Sequence, residues 1–395
     1  MKILLLSEHI FSKGGTAVYT ENIARHLART GNTVHLIAHA PLDYKKRGKW
    51  VNLEDNLYLL VPEIGINQYN TRISRRALLK SVYKHLFKDN LIQTIKPDIV
   101  HVLYGHTIAK ILKPLSLKLP TFWTIHNIPP AEYPLPSSSI VYNHFYGGYL
   151  SGIKLYHRRL IRNVRPFYYI AISEFIRRKL IKYVGVKPDR VKVVNPGVEL
   201  KDFFPVNKAE ARKKVGLPDD RFILLTVGAF IYHKGQFIVL EALNELKKNK
   251  KNILYIMIGQ IRDQAYYRYL QKRIDQFNLN KNVLILQNIP RNILNLYYNS
   301  CDVYIQPSLE EGFCLTALEA LATGCFVIGS DVGGIREYIS ISKNGIDLRK
   351  LTKEAIINTL STGFTQKSEY IKRIRDLYSW QHAVRRLLAI YKGGV

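Results

Sequence analysis

Acidic residues are scarce in this 395-residue chain, where 30 Asp and Glu stand against 59 Lys and Arg for a formal charge of +29. The imbalance is greater in the first half. Residues 1–198 hold 30 bases and 11 acids, and residues 199–395 hold 29 and 19. Such a field favours nucleic acid, an anionic membrane surface or a phosphorylated ligand, and is silent about fold. Cysteine is nearly lacking too. Cys301, Cys314 and Cys325 are too few and too clustered for a disulfide framework or a zinc ribbon, so a reducing, cytoplasmic compartment is expected. No apolar run approaches the roughly 20 residues of a membrane span. Lys2 leads at once into the strand-like run Ile3–Leu6, so no signal peptide is expected. Low-complexity tracts and internal repeats are absent, and 47% apolar content excludes a disordered chain. There is no Walker loop, no dinucleotide glycine fingerprint, no Cys/His cluster with metal-ligand spacing and no Asp-x-Asp pair of the kind that holds a metal-bound diphosphate. No metal and no cofactor are expected.

What is present is alternation. Short β-branched runs at Ile3–Leu6, Val34–Ala38, Leu57–Val61, Ile99–Val102, Thr121–Ile125, Tyr169–Ile172 and Val191–Val194 are separated by stretches that include the helical pattern Ala17–Thr30. The second half repeats the pattern, with runs at Ile223–Val227, Ile253–Ile258, Val283–Leu286, Val303–Gln306 and Phe326–Gly329 between helical stretches such as Gln236–Lys247, Tyr266–Phe277 and Thr316–Ala322. Strands apolar on both faces and alternating with helices predict parallel sheets covered by helices, an α/β fold. The hinge is expected at Asn195-Pro196-Gly197 and the polar stretch to about Asp220. The predicted division is 1–198, 199–378 and a final helix, 379–395, that crosses back to the first domain. Two doubly wound, Rossmann-like domains facing an interdomain cleft would bind ligands at the carboxyl ends of their strands.

Four strand-to-helix segments carry chemistry. The richest is Pro307-Ser308-Leu309-Glu310-Glu311-Gly312-Phe313-Cys314-Leu315-Thr316-Ala317-Leu318-Glu319. Amides around Phe313–Thr316 are donors at a positive helix end, suited to phosphate. Glu311 and Glu319 span roughly 12 Å if the segment is mostly helical, about the reach from a sugar across a diphosphate to a ribose. The alternative is that Glu310 and Glu311 merely complement the helix N-terminus and Glu319 is a surface residue. The second segment, Thr226–Gly235, puts Lys234 and Gly235 where a lysine can reach a diphosphate or simply be solvated. In the third, Ser7–Thr16, the pair Gly14-Gly15 permits close backbone approach to a ligand. The fourth, Trp123-Thr124-Ile125-His126-Asn127, ends a strand with a histidine that can bond a sugar, move a proton or be structural.

These residues resemble glycosyltransferase family 4, the retaining, nucleotide-sugar-dependent group 1 transferases of GT-B fold. The likeness runs from Gly14-Gly15 through Thr124–His126, Ser173-Glu174-Phe175-Ile176-Arg177-Arg178, Asn195-Pro196-Gly197-Val198-Glu199 with Phe203, and Val227-Gly228 with Lys234-Gly235. It continues through Glu311-x(7)-Glu319, Gly324 and Gly333-Gly334 to Ser379-Trp380. The resemblance implies that Glu311 contacts the donor sugar, Glu319 the ribose and Lys234 the diphosphate. It further implies that Gly312, Phe313, Cys314, Leu315 and Thr316 offer their loop and amides to phosphate oxygens. Gly14 and Gly15 would lie beside the donor, and His126 would face the sugar. It also implies a metal-independent reaction, with the nucleotide sugar a co-substrate, and front-face attack in which the leaving phosphate takes the acceptor's proton.

Three departures from the family pattern stand out. Ala229 replaces the arginine that often follows Val-Gly as a second diphosphate cation, leaving Arg262 or Arg291 as substitutes, of which Arg291 is assigned to the binding set. Cys314 stands where glycine is commonest. Glu337-Tyr338-Ile339 runs quickly into Asn344-Gly345, predicting no further strand at the edge of the second sheet.

Positive charge is concentrated with aromatics. No carboxylate occurs from Tyr133 to Ser173, a stretch holding Lys154, Arg158, Arg159, Arg162 and Arg165 with Tyr142, Phe145, Tyr146, Tyr149 and Tyr156. Arg72, Arg75, Arg76, Lys80, Lys84 and Lys88 surround Leu78, Leu79, Val82 and Leu86. This composition suits an anionic lipid surface at the inner face of a membrane, and equally core aromatics with solvated cations. No RNA- or DNA-binding motif accompanies the charge. The expected activity is transfer of a sugar from a nucleoside-diphosphate donor to a lipid-linked or glycan acceptor. The alternatives are a nucleotide-sugar epimerase of the same fold, or a non-catalytic membrane- or RNA-binding protein with a relic donor site.

Overall fold

The computed structural model describes residues 1–11, 14–41, 45–62, 75–106, 108–116, 118–128, 158–249, 252–342, 345–348, 352–362 and 369–393. It divides into two units, Met1–Pro196 with Ala383–Val395, and Gly197–His382.

The first unit is built on an eight-stranded sheet. Its strands are β1 (Lys2–Ser7), β2 (Thr33–Ala38), β3 (Trp50–Glu54), β4 (Leu57–Leu60), β5 (Ile99–Tyr104), β6 (Thr121–Ile125), β7 (Tyr168–Ala171) and β8 (Val191–Val193), ordered β3-β4-β2-β1-β5-β6-β7-β8. All neighbours are parallel except β3 and β4. Ile3, Leu4, Leu5 and Leu6 are fully buried. Successive side chains point to opposite faces, so both faces of β1 are covered, as a parallel sheet requires. Each such side chain contributes about 1.5–3 kcal/mol relative to exposure. The helix Gly15–Arg29 returns from β1 and buries Tyr19, Ile23, Ala24 and Leu27.

The second unit carries six parallel strands: β9 (Phe222–Val227), β10 (Ile253–Ile258), β11 (Val283–Leu286), β12 (Val303–Gln306), β13 (Phe326–Ser330) and β14 (Gly345–Leu348), ordered β11-β10-β9-β12-β13-β14. Helix Gln236–Leu246 packs Val239, Leu240 and Leu243 into a core with Tyr255, Met257, Ile305 and Ile328. The order reverses between β9 and β12, where one crossover goes left and the next right. That point opens a crevice at the carboxyl ends of the strands. Gly228–Lys234 leaves β9 there and Pro307–Cys314 leaves β12, so the topology brings together two motifs distant in sequence.

Two strands were not legible in the sequence. β3 is a short edge strand, antiparallel to β4, with Trp50 opposite Leu60. β14 corrects the expectation that the second sheet ends early, because Gly345–Leu348 pairs parallel with β13, Val327 opposite Gly345. A four-residue edge strand is defined by its partner rather than by its own composition. Near the division, Val198 N–H donates to Tyr378 O at 2.7 Å. A Cβ on Gly197 would come within 2.2 Å of the Trp380 nitrogen, so only glycine fits. The last helix, Trp380–Tyr391, begins in the second unit and runs into the first.

Candidate active site

The crevice of the second unit is organised around one ion pair. Lys234, at the end of the one-turn helix Tyr232–Lys234, places Nζ 2.5 Å from Oε1 of Glu311, with side chains 20% and 9% exposed. Ser308 Oγ donates to the same Oε1 at 2.8 Å, and Gln306 Nε2 reaches it at 3.4 Å. Gln306 is fully buried at the end of β12. Its amide also donates to Ser308 Oγ at 2.7 Å, and its Oε1 accepts from Tyr304 at 2.5 Å and Thr316 at 3.2 Å. Every polar atom of the amide is therefore used, which fixes Glu311 relative to the start of helix Leu315–Ala322. Burial pulls the Lys234 pKa down, but Glu311 more than offsets this, and the ammonium ends above its ordinary value. Beside it, burial and the Lys234 charge lower the pKa of His233.

The backbone around this pair is forced by close approaches. Gly235 has φ +70°, and a Cβ there would lie 1.9 Å from Pro307 O. A Cβ on Gly333, which has φ +64°, would lie only 2.6 Å from Glu311 O, and a Cβ on Gly334 would lie 2.4 Å from the ring of Phe313. The Gly333-Gly334 pair thus lets the loop after β13 lie against the Glu311–Phe313 segment. Phe313 turns its ring into the core against Tyr338 and Tyr378. Cys314 caps helix Leu315–Ala322 with φ 70°, a left-handed conformation costing an ordinary residue about 1–2 kcal/mol. That is the physical reason glycine suits the position. Burial pushes the Cys314 thiol up to about 12, so it is a neutral lining group.

A second carboxylate lies at the far side of the helix start. Glu319 is 5% exposed. Tyr298 hydroxyl donates to its Oε2 at 3.0 Å and Arg291 Nη2 approaches its Oε1 at 3.2 Å. Arg291 also donates from Nε to Asp202 at 2.8 Å and lies over the Phe203 ring at 4.7 Å. The charge of Arg291 is thus matched by two carboxylates, Asp202 and Glu319. Burial raises the Glu319 pKa, against the opposing pull of Arg291 and Tyr298.

In the first unit, Gly14 precedes helix Gly15–Arg29 with extended backbone, and its carbonyl accepts from Ala17 and Val18 N–H at 3.1 Å each. Ser12 and Lys13 lie outside the described residues. His126 follows β6. Its Nε2 donates to Leu103 O at 2.8 Å, and Tyr19 meets its ring edge-on at 4.6 Å. Burial lowers its pKa to about 4, so at neutral pH it is an uncharged imidazole whose tautomer the Leu103 carbonyl sets. Behind it, His101 bonds Thr124 at 2.8 Å and Tyr391 at 2.5 Å, tying the last helix to β5 and β6. Sequence reasoning missed Gln306, Tyr298, Asp202 and His101. Only Gln306 carried a signal, as a polar residue closing an apolar strand.

Of the basic-aromatic stretch, Tyr142, Phe145, Tyr146, Tyr149, Lys154 and Tyr156 lie outside the described residues, as do Arg72 and the side chains of Arg75 and Arg76. Arg159, Arg162 and Arg165 are exposed and pair with no described carboxylate, while Leu160, Ile161 and Val164 between them are buried. Lys80, Lys84 and Lys88 line the outer face of a helical stretch that buries Leu78, Val82 and Leu86.

The family described as Glycosyltransferase Family 4 matches residues 13–202, and that described as Glycosyl transferases group 1 matches residues 207–370. A D-inositol 3-phosphate glycosyltransferase of Thermobifida fusca is 30% identical over 236 residues, 56% of this chain and 54% of that protein. The chain spans about half the length of the curated relatives it matches. Sucrose-phosphate synthase of Thermosynechococcus elongatus superposes with a TM-score of 0.82 at 20% identity, over 99% of this chain and 98% of that one. HepE of Anabaena, solved in complex with UDP and glucose, gives a TM-score of 0.73 at 16% identity, over 99% of each chain. These structural likenesses establish the pair of Rossmann-like α/β domains of the GT-B architecture. With one family matched across each half, and its motifs gathered at the switch point of the second sheet, the chain belongs to the family 4, group 1 glycosyltransferases.

Proposed function

We propose that the chain is a retaining glycosyltransferase that takes a sugar from a nucleoside-diphosphate donor without a metal. The observation that carries this reading is the Lys234–Glu311 pair, held by Ser308 and Gln306 at the switch point of the second sheet. Lys234 spends one of three N–H donors on Glu311, which leaves two for diphosphate oxygens. Glu311 keeps its second oxygen for the hydroxyls of the donor sugar, and Glu319 faces the ribose. In the chemical step the acceptor oxygen bonds to the anomeric carbon while the bond from that carbon to phosphate oxygen breaks. The diphosphate leaves with the electron pair, and the acceptor's proton passes to the departing phosphate on the same face. Charge grows on the leaving group, so a buried ammonium and the amides of Cys314–Thr316 stabilise the transition state more than the ground state. No group of three His, Cys, Asp or Glu able to hold a metal occurs among the described residues.

The test is incubation with labelled nucleotide sugars, with and without membrane lipid extract, followed by NMR of the product's anomeric configuration. Glu311→Gln should lose transfer by at least about 100-fold, as loss of a desolvated charged contact does. Activity within about threefold of the parent, for a variant shown to be folded, refutes the assignment. A stringent requirement for manganese or magnesium in the chemical step refutes the metal-free reading.

A lipid-linked acceptor at a membrane's inner face is supported by a separate observation. Residues 158–192 hold eleven bases and two acids. Phe167 is 48% exposed beneath the Arg190 guanidinium at 5.6 Å, and Lys192 lies over Tyr168 at 5.3 Å. Among the described residues no helix is long and apolar enough to cross a membrane. Each cation near an anionic surface contributes about 1 kcal/mol. Replacing Arg158, Arg159, Arg162 and Arg165 with glutamine should therefore strip the protein from anionic liposomes and spare nucleotide binding. Sedimentation with liposomes that is unchanged by salt returns the acceptor to a water-borne glycan.

A further inference from the structure

We infer that Arg291 and Tyr298 act as a clamp that holds the Glu319 carboxylate in position for the ribose diol, so that ribose recognition is set by residues that do not themselves touch the nucleotide. The inference rests on the reading of Glu319 as the ribose contact. Both partners project from one helix, Arg291–Ser300, at its first and eighth residues. Seven residues are close to two helical turns, so the side chains share a face and close on Glu319 from two sides. Tyr298 hydroxyl takes Oε2 at 3.0 Å and Arg291 Nη2 takes Oε1 at 3.2 Å.

Arg291 is in turn fixed from behind. Asp202 accepts from its Nε at 2.8 Å, and the fully buried Phe203 ring lies under its guanidinium at 4.7 Å. Arg375 donates to the Phe203 carbonyl at 2.7 Å, which anchors that segment. A guanidinium can bridge two carboxylates in a plane and stack at the same time, which an ammonium cannot. Each Glu319 oxygen keeps one lone pair after these contacts, enough to accept one ribose hydroxyl apiece. The charged and titratable groups around Glu319 are Arg291, Tyr298 and Asp202, with Tyr304 and Cys314 behind Tyr298. Arg291 is the one cation among them. Without it, a carboxyl already raised by burial faces only Asp202 and neutral groups, and becomes protonated at higher pH.

The experiment compares binding of a nucleoside diphosphate with that of its 2′,3′-dideoxy analogue, using whichever of UDP, ADP and GDP the wild-type protein binds most tightly. The ratio of the two affinities isolates the ribose contribution, because the diphosphate titrates identically in both ligands. Wild type should prefer the ribose form by about tenfold or more, evenly from pH 6 to 8.5. Arg291→Gln should lose most of that preference at pH 6 and regain part of it by pH 8.5, as Glu319 ionises. Tyr298→Phe, which removes one oxygen and leaves the ring, should lower the ratio at every pH, and Arg291→Lys should recover the pH independence but not the full ratio. A purely structural role would weaken both ligands equally and leave the ratio flat. A ratio in both variants equal to wild type, at all pH values, overturns the clamp while leaving the Glu319 reading intact. A wild-type ratio of one, or no binding of any of the three diphosphates, overturns the Glu319 reading and the clamp with it.

Discussion

The Lys234–Glu311 pair lends itself to a double-mutant cycle, built from Lys234→Met, Glu311→Gln and the two combined. Removing one member of a buried ion pair costs about 3–5 kcal/mol, because the survivor is left charged and desolvated. Here a fifth of the Lys234 side chain is exposed, and Glu311 keeps donors from Ser308 and Gln306. Lys234→Met therefore falls at the lower end of that range, about 3 kcal/mol, and Glu311→Gln, whose amide still hydrogen-bonds, falls below it at about 2. In the combined variant neither charge is stranded, and the loss falls to about 2 kcal/mol, giving a coupling of roughly 3. For a unit of this size about 1 kcal/mol moves the melting temperature by about 2–4 °C, so Lys234→Met should lower it by about 6–12 °C. The assay is calorimetry on the full chain, in which the transition of the second unit moves and that of the first does not. The Lys234 pKa is raised in the fold, so its contribution is complete below the ordinary lysine value and fades only as pH climbs through the folded one. The coupling is therefore constant from pH 7 to 9. A coupling below about 0.5 kcal/mol would show that the two side chains are independent and would refute the electrostatic account of the site.

Acid should weaken the first unit. His126 and His39 are lowered to about 4 and His101 to about 3, all chiefly by burial, so the unfolded chain binds more protons than the fold between about pH 6.5 and these values. Stability should drop as pH is lowered through that window, by up to about 1.4 kcal/mol per pH unit for each histidine, and a flat melting temperature from pH 6.5 to 5 would contradict their burial as neutral imidazoles. Gly235→Ala should cost well over 2 kcal/mol and displace Lys234, since its Cβ would strike Pro307 O at 1.9 Å. Gly216→Ala, with φ +67° but nothing within 4 Å, should cost only the backbone strain of about 1–2 kcal/mol. Equal melting temperatures for those two variants would remove the steric argument.

Much of this architecture was legible because its signals are local. Runs such as Ile253–Ile258 and Val303–Gln306 are strands in sequence and in structure alike, since β-branched residues between turn residues need no distant information. The spacing of Glu311 and Glu319 was likewise readable, because both stand on one strand-to-helix segment. The short edge strands Trp50–Glu54 and Gly345–Leu348 escaped notice because each exists through its neighbour, β4 or β13. Positions of charge were readable, but partners were not. Lys234 finds Glu311 across 77 residues, Arg291 finds Asp202 across 89, and His101 finds Tyr391 across 290. The family resemblance made Arg291 a candidate for the diphosphate in place of Ala229, and the fold packs it on Phe203 beside Glu319. Sequence alone determined the alternating elements and the order of the motifs, because periodicity and turn chemistry act over a few residues. The tertiary structure decided which carboxylate meets which cation, because that depends on strand order, and on burial that leaves a charge no solvent and so commits it to the partner the sheet brings near.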